Sequence, residues 1–179
     1  FVAATYHRGM RYFSVPTTML AMVDVAVGGK CGINTEYGKN QLGAFKLAES
    51  VCCDTAYLRT LHRDHWFQGW VEMYKLALLF DCTWRQELEG LLVNLDRLEP
   101  DAWLESIRLS CHYKHMVVIK DLEDHGCRNL LNFGHTMAHV IEAASNYEVM
   151  HGHAVAWGLI VALRLSEALL GLCSKKSSH

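Results

Sequence analysis

Proline occupies only 2 of 179 positions and charged residues make up 20%, which excludes the Pro-rich, charge-heavy composition of a disordered chain. No charge of one sign dominates. Lys+Arg number 17 against 19 Asp+Glu, a net charge of −2 at pH 7 with His neutral, so the basic field of a general nucleic-acid binder is missing. The 7 Cys (31, 52, 53, 82, 111, 127 and 173) are odd in number and contain no CxxC pair, which argues against a disulfide framework or a Cys-type zinc finger. They read as reduced thiols of a cytoplasmic protein, buried as small hydrophobes, with the adjacent Cys52 and Cys53 poorly placed to bridge each other. No charged segment precedes an apolar one, so no signal peptide is expected. The longest apolar run, Ala154 to Leu163, is about half of the roughly 20 residues that a bilayer span needs, and Arg164 and Glu167 follow it. It reads as a buried core helix, with no membrane partner. GxGxxG and GxxxxGK[ST] are also missing, so neither a dinucleotide fingerprint nor a Walker loop is derivable.

What is present is a 51% hydrophobic composition, enough to bury a core, and an unusual 11 His. The first third and the remainder differ in pattern. Four of the six glycines before residue 60 lie within Gly28 to Gly38, which reads as a loop and not an element. Tyr12 to Val15, ended by Pro16, and Val51 to Asp54 are strand-like. Thr17-Thr18 are placed to cap a short helix or apolar loop over Met19 to Val27. After Leu61, apolar spacings of three and four predict helices over 64–80, 84–94, 101–120, 129–145 and 152–171, with Asp101 after Pro100 as a start and Gly171 as a stop. The terminal Ser174 to Ser178 stretch reads as a disordered tail.

Three constellations carry chemistry, each with a plainer alternative. His135 and His139, four apart in Gly134-His-Thr-Met-Ala-His139, share a helix face, and His151 follows in Met150-His-Gly-His153. Glu72 and Lys75 put opposite charges three apart in an apolar helix, where an unpaired charge would cost several kcal/mol if buried. Two imidazoles and a carboxylate suit catalytic zinc; hydrogen-bonded core histidines are the alternative. Gly28-Gly29-Lys30 and Gly38-Lys39-Asn40 suit an anion nest or a solvated Gly-rich turn. Lys114, Arg128 and Asn132 either converge across a helical hairpin on an anionic ligand or are surface groups.

Phe1-Val-Ala-Ala-Thr-Tyr-His-Arg-Gly9, Val15-Pro-Thr-Thr-Met-Leu-Ala-Met-Val-Asp24, Val27-Gly-Gly-Lys30, Gly38-Lys-Asn40, Gly43-Ala-Phe45, Glu72-Met-Tyr-Lys75, Arg128-Asn-Leu-Leu-Asn132, Gly134-His-Thr136, His139 and His151-Gly152 resemble, in order and spacing, the 3-dehydroquinate synthase family. The resemblance implies a sugar-phosphate cyclase fold, with an α/β N-terminal part, an incomplete Rossmann-like lobe ending within 1–60, followed by an all-α metal- and substrate-binding domain over 61–179. It also implies a fragment, with part of the nucleotide-binding lobe before Phe1 and further helices after His179. It implies NAD and zinc, or another divalent ion such as Co2+, and a homodimer.

Residue by residue, the resemblance assigns Glu72, His135 and His151 to the metal and Lys75, His139 and Asp24 to catalysis. Arg8, Lys30, Asn40, Lys114, Arg128 and Asn132 fall on substrate-binding positions, with Arg8 reaching a neighbouring subunit. Thr17, Thr18, Lys39 and Thr60 fall near the cofactor. The implied reaction converts 3-deoxy-D-arabino-heptulosonate 7-phosphate to 3-dehydroquinate and phosphate in the shikimate pathway. NAD oxidises a ring hydroxyl and is regenerated, phosphate is eliminated, the ring closes by an aldol step, and zinc acts as Lewis acid.

Departures are His153 where Glu is usual, Val25-Ala26 where Ser-Ser is usual, Asp124 where Glu is common and His62 where Pro is expected. None removes a metal ligand, and His153 is expected to leave the metal cluster. A metal- and NAD-dependent polyol dehydrogenase of the glycerol type is the alternative enzyme, but its neutral substrate would not need Lys30, Lys75, Lys114 and Arg128. A non-catalytic remnant is the alternative outside enzymes. Retention of Arg128, Asn132 and His139 favours dehydroquinate over valiolone- or inosose-type products. The chain alone is expected to be inactive.

Overall fold

Helices account for most of the chain from Arg63 onward, as the spacing of apolar residues predicts. The computed structural model describes residues 1–95 and 99–171. They fall into two units, Phe1–Leu131 and the residues from Asn132 on.

The first unit opens with α1 (Val2–Thr5) and a 3-10 turn (Tyr6–Arg8), then β1 (Phe13–Ser14) and a π-helix (Ala21–Val25). β2 (Lys30–Thr35), β3 (Gly38–Phe45), β4 (Ser50–Val51) and a 3-10 helix (Thr55–Thr60) follow. The remainder is α2 (Arg63–Phe80), α3 (Cys82–Leu92), a 3-10 turn (Pro100–Trp103) and α4 (Leu104–Val118). A last 3-10 helix (Cys127–Asn132) leads to α5 (His135–Ala144) and α6 (His151–Leu170). β1 and β4 pair in parallel, and β2 and β3 antiparallel, so the strand content is two small two-stranded sheets.

The Gly28–Gly38 stretch is not the expected loop. Its middle, Lys30–Thr35, is β2, paired with β3 from Lys30↔Phe45 to Thr35↔Gly38. Glycine suits this hairpin because Gly32 and Gly43 face each other, and a Cβ on either would come within 3.1 Å of a backbone carbonyl of the opposite strand. A turn-rich composition and a tightly apposed ribbon look alike in sequence.

Met19, Met22 and Val23 are fully buried, with the π-helix packed against α2 and α4. Around them lie Val71, Met73 and Leu76 of α2, Trp84 and Leu88 of α3, and Trp103, Ile107 and Val118. Burial of a side chain of this size stabilises by about 1.5–3 kcal/mol. Gly69 permits the closest approach in this unit: a Cβ there would lie 2.2 Å from Met19 Cγ.

Asp81 starts α3 by accepting from the Thr83 and Trp84 amides, both at 3.0 Å, and it accepts from the Tyr113 hydroxyl at 2.8 Å, tying α3 to α4. The Trp84 amide first, then Tyr113, holds its carboxyl below the usual carboxylate range. A lowered folded pKa gives stability that is present above the unfolded value and lost as pH falls through the folded one. Asp81→Asn is therefore expected to lower the melting temperature at neutral pH and to flatten its acid-side decline. An unchanged acid limb would refute this.

In the second unit, the expected 129–145 helix is interrupted before α5, because Gly134 takes φ 81° and caps α5. A Cβ at Gly158 of α6 would fall 2.0 Å from the Gly134 carbonyl, so two glycines seat the start of α5 directly on α6. Gly171, at φ 63°, ends α6 as expected.

α6 is not the wholly buried core helix that its apolar run suggests. Ala154, Val155, Gly158 and Leu159 are buried, while Trp157 is 61% and Ile160 49% exposed. By length and composition alone it is the one helix among the described residues long and apolar enough to cross a bilayer.

The cysteines also differ from expectation: of the six described, Cys52, Cys82 and Cys127 are exposed and Cys31, Cys53 and Cys111 half-buried. All but Cys111, which lies within α4, sit at or near element ends, where a small side chain need not be covered. Cys173 and the Ser174–Ser178 tail lie outside the described residues.

Candidate active site

In the first unit, α2 carries Glu72 and Lys75 one turn apart, 1% and 3% exposed, with Lys75 Nζ 2.5 Å from Glu72 Oε2. The spacing of three made this pair legible in sequence, and the apolar helix around it made its burial legible too.

The π-helix is held by one face of α4. Thr18 caps it, its hydroxyl accepting from the Ala21 amide at 3.2 Å. Ser110 donates to the Val23 carbonyl at 3.0 Å and Cys111 to the Met22 carbonyl at 3.4 Å. Lys114 donates to both the carbonyl and Oδ1 of Asp24, each at 2.5 Å. Cys111 also shares a hydrogen bond with Cys53. That bond pushes the Cys53 thiol well up, and it holds Cys111 below its usual range, with the Lys114 charge acting in the same direction.

Arg128 is 3% exposed and donates to the Gly28 carbonyl at 2.6 Å and the Leu122 carbonyl at 2.7 Å. A Cβ at Gly28, whose φ is 127°, would lie 2.7 Å from Arg128 Nη2 and 3.5 Å from Lys114 Cε. The Gly-rich segment and the distant cations therefore form one cluster, not two. The chain is delivered to it by Asp121, which accepts from the amides of His125, Gly126 and Arg128. The Arg128 amide is the chief reason its carboxyl lies below the usual range. Asp124 of that loop ion-pairs with Lys30. Lys30 and Asn40 line one shallow cavity of about 310 Å³ along the hairpin, together with Phe45. Asn40 takes φ 56°, its amide donating to Asn34 Oδ1 at 2.9 Å.

Arg8, Thr17, Lys39 and Thr60 are exposed and lie on separate elements, with Arg8 at φ 66°.

In the second unit, His135 opens α5 and His151 opens α6, their ring centroids 5.4 Å apart. His139, one turn along α5, is exposed with its ring 5.7 Å from that of His135. Asn132 is exposed. His135 Nδ1 lies 3.3 Å from the Phe133 carbonyl, and His151 Nδ1 lies 3.0 Å from Glu142 Oε1. His153 follows two residues after His151, about 200° around the helix from it. Glu142 is the residue that sequence reasoning missed. The signal was there: His135, His139 and Glu142 are spaced four and three, so all three share one face of α5. Glu72, the third member of the expected metal set, belongs to the first unit.

Two family models match the chain end to end: 3-dehydroquinate synthase N-terminal over residues 1–68 and 3-dehydroquinate synthase C-terminal over residues 69–179. The chain belongs to the 3-dehydroquinate synthase family.

A family member from Acidithiobacillus ferrooxidans, a 3-dehydroquinate synthase, is 44% identical over 170 residues, which is 94% of this chain and 47% of the relative. The chain spans about half the length of the curated 3-dehydroquinate synthases it matches. Among solved structures, the 2-epi-5-epi-valiolone synthase ValA of Streptomyces hygroscopicus, with NAD+ and Zn2+ bound, has a TM-score of 0.81 at 28% identity, covering 96% of this chain and 53% of that one. A 2-deoxy-scyllo-inosose synthase, complexed with carbaglucose-6-phosphate, NAD+ and Co2+, has a TM-score of 0.85 at 26% identity, covering 96% and 47%. The fold is thus that of the sugar-phosphate cyclases.

Proposed function

We propose that this chain supplies the metal- and substrate-binding part of a 3-dehydroquinate synthase, acting in the cytoplasm as a homodimer on 3-deoxy-D-arabino-heptulosonate 7-phosphate. The observation that carries this reading is the meeting of Lys114 and Arg128 at Gly28, two residues before Lys30. Such a density of cations suits a substrate bearing both carboxylate and phosphate and is superfluous for a neutral polyol. The N-terminal segment is read as the end of a Rossmann-like lobe within 1–60, with the helical domain from 61.

The donor set fits a divalent ion. His135 and His151 are adjacent imidazoles whose Nδ1 atoms each face an oxygen, and Glu72 offers a buried carboxylate. We assign Glu72, His135 and His151 to that ion, zinc or a near equivalent such as Co2+, and Thr17, Thr18, Lys39 and Thr60 to the NAD side. When bound, NAD supplies reversible hydride transfer and the metal Lewis acidity. Lys75 holds the Glu72 carboxylate in one orientation. Asp24 holds Lys114 in place for an anionic substrate group. Lys30, Asn40 and Arg128 bind phosphate and carboxylate oxygens, with Arg8 reaching the partner subunit's site. Asn132 and His139 face the substrate, where His139 is placed to hold or move a proton.

Phosphate release from the heptulosonate phosphate, assayed with NAD and zinc in a polypeptide extended to the length of the relatives, tests the reading. Turnover of that substrate without glycerol oxidation is expected; the reverse would favour the polyol dehydrogenase. Glu72→Ala and His135→Ala are each expected to lose zinc on dialysis. Undiminished metal stoichiometry in both would sink the ligand assignment.

A further inference from the structure

We infer that Glu142 is the positioning residue of the metal centre, its carboxylate fixing the tautomer and ring orientation of His151 so that Nε2 is the nitrogen offered to the ion. The inference rests on the assignment of His135 and His151 as ligands. Glu142 is 3% exposed and its Oε1 lies 3.0 Å from His151 Nδ1. With the Glu142 carboxylate as acceptor, the proton of this bond sits on Nδ1 and the ring lone pair on Nε2. The same reasoning applies to His135, because the Phe133 carbonyl 3.3 Å from its Nδ1 can only accept. Both imidazoles therefore present the same nitrogen.

The two supports are unequal. A backbone carbonyl orients its histidine, whereas a buried carboxylate also adds negative charge and makes the imidazole a more basic ligand. His151 is thus the electronically tuned ligand of the pair. Its support comes from the far end of α5, two turns beyond His135, so one helix carries a ligand at its first residue and the prop for the other ligand on the same face. A burial this deep is costly for a carboxylate unless its partner needs the charge. The competing account is that Glu142 merely ties α5 to α6.

The full chain is titrated with zinc against a chromophoric chelator as wild type, Glu142→Ala and Glu142→Gln, each with and without His151→Ala. Glu142→Ala is expected to weaken zinc binding by about 10–100-fold. Glu142→Gln is expected to lose less, because its amide oxygen still accepts from Nδ1 but carries no charge. With His151→Ala already present, neither Glu142 substitution should weaken binding further. The visible spectrum of the cobalt-loaded chain should shift in Glu142→Gln, which a purely structural tie would not cause. Should Glu142→Ala fail to fold, Glu142→Gln decides the matter. Wild-type affinity in that variant overturns the inference, as does an equal loss with and without His151. A wild-type chain that binds no zinc overturns the ligand assignment itself, a result distinct from both.

Discussion

Lys75→Ala is expected to destabilise the chain by about 3–5 kcal/mol, because it removes the ammonium 2.5 Å from a carboxylate that is 1% exposed. Solvent cannot replace the lost ammonium at that depth. The double variant Glu72→Leu/Lys75→Met, which replaces both charges by apolar groups of similar size, is expected to recover most of the loss. Urea unfolding of the single and double variants measures this. If the double variant is as unstable as the single, the pair is a stabilising element in its own right. If it recovers, stability does not require the charges, and their retention points to the chemistry assigned to Glu72.

Arg128→Ala is expected to cost about 2–4 kcal/mol, since the guanidinium donates to the buried Gly28 carbonyl and to that of Leu122, and each carbonyl loses its donor. Arg128→Met should recover part of this through the stem alone. Arg128→Lys should fall between them, because a single ammonium cannot span both carbonyls as the planar fork does. In the extended polypeptide, phosphate release should fall further than stability explains, as Arg128 is also assigned to the substrate. Equal stability of wild type and Arg128→Ala in urea would refute the structural part of this account.

Local chemistry was legible in the sequence, and long-range convergence was not. The five helices are marked by spacings of three and four, and the Glu72–Lys75 pair and the shared face of His135 and His139 follow from helix geometry, whereas the metal set with His151 came from the family resemblance. The hairpin over Lys30–Phe45 was missed because glycines that allow close strand approach look like glycines that allow turns. The meeting of Gly28 with Lys114 and Arg128 joins residues up to 100 positions apart, which no local pattern encodes. The exposed flank of α6 shows a further limit. An apolar run identifies surface that wants cover without identifying what provides it, and this chain spans about half of its relatives' length.

The π-helix over Ala21–Val25 is in effect a one-residue insertion absorbed by a helical turn. Removing one residue between Thr18 and Asp24 would let the turn relax to ordinary α-helical winding, which covers nearly the same rotation with one residue fewer, so the elements on either side would keep their directions. Asp24 would stay on Lys114, and Gly28 on Arg128. The turn thus works as a length buffer that insulates the alignment of the cation cluster from a one-residue change in the stretch before it.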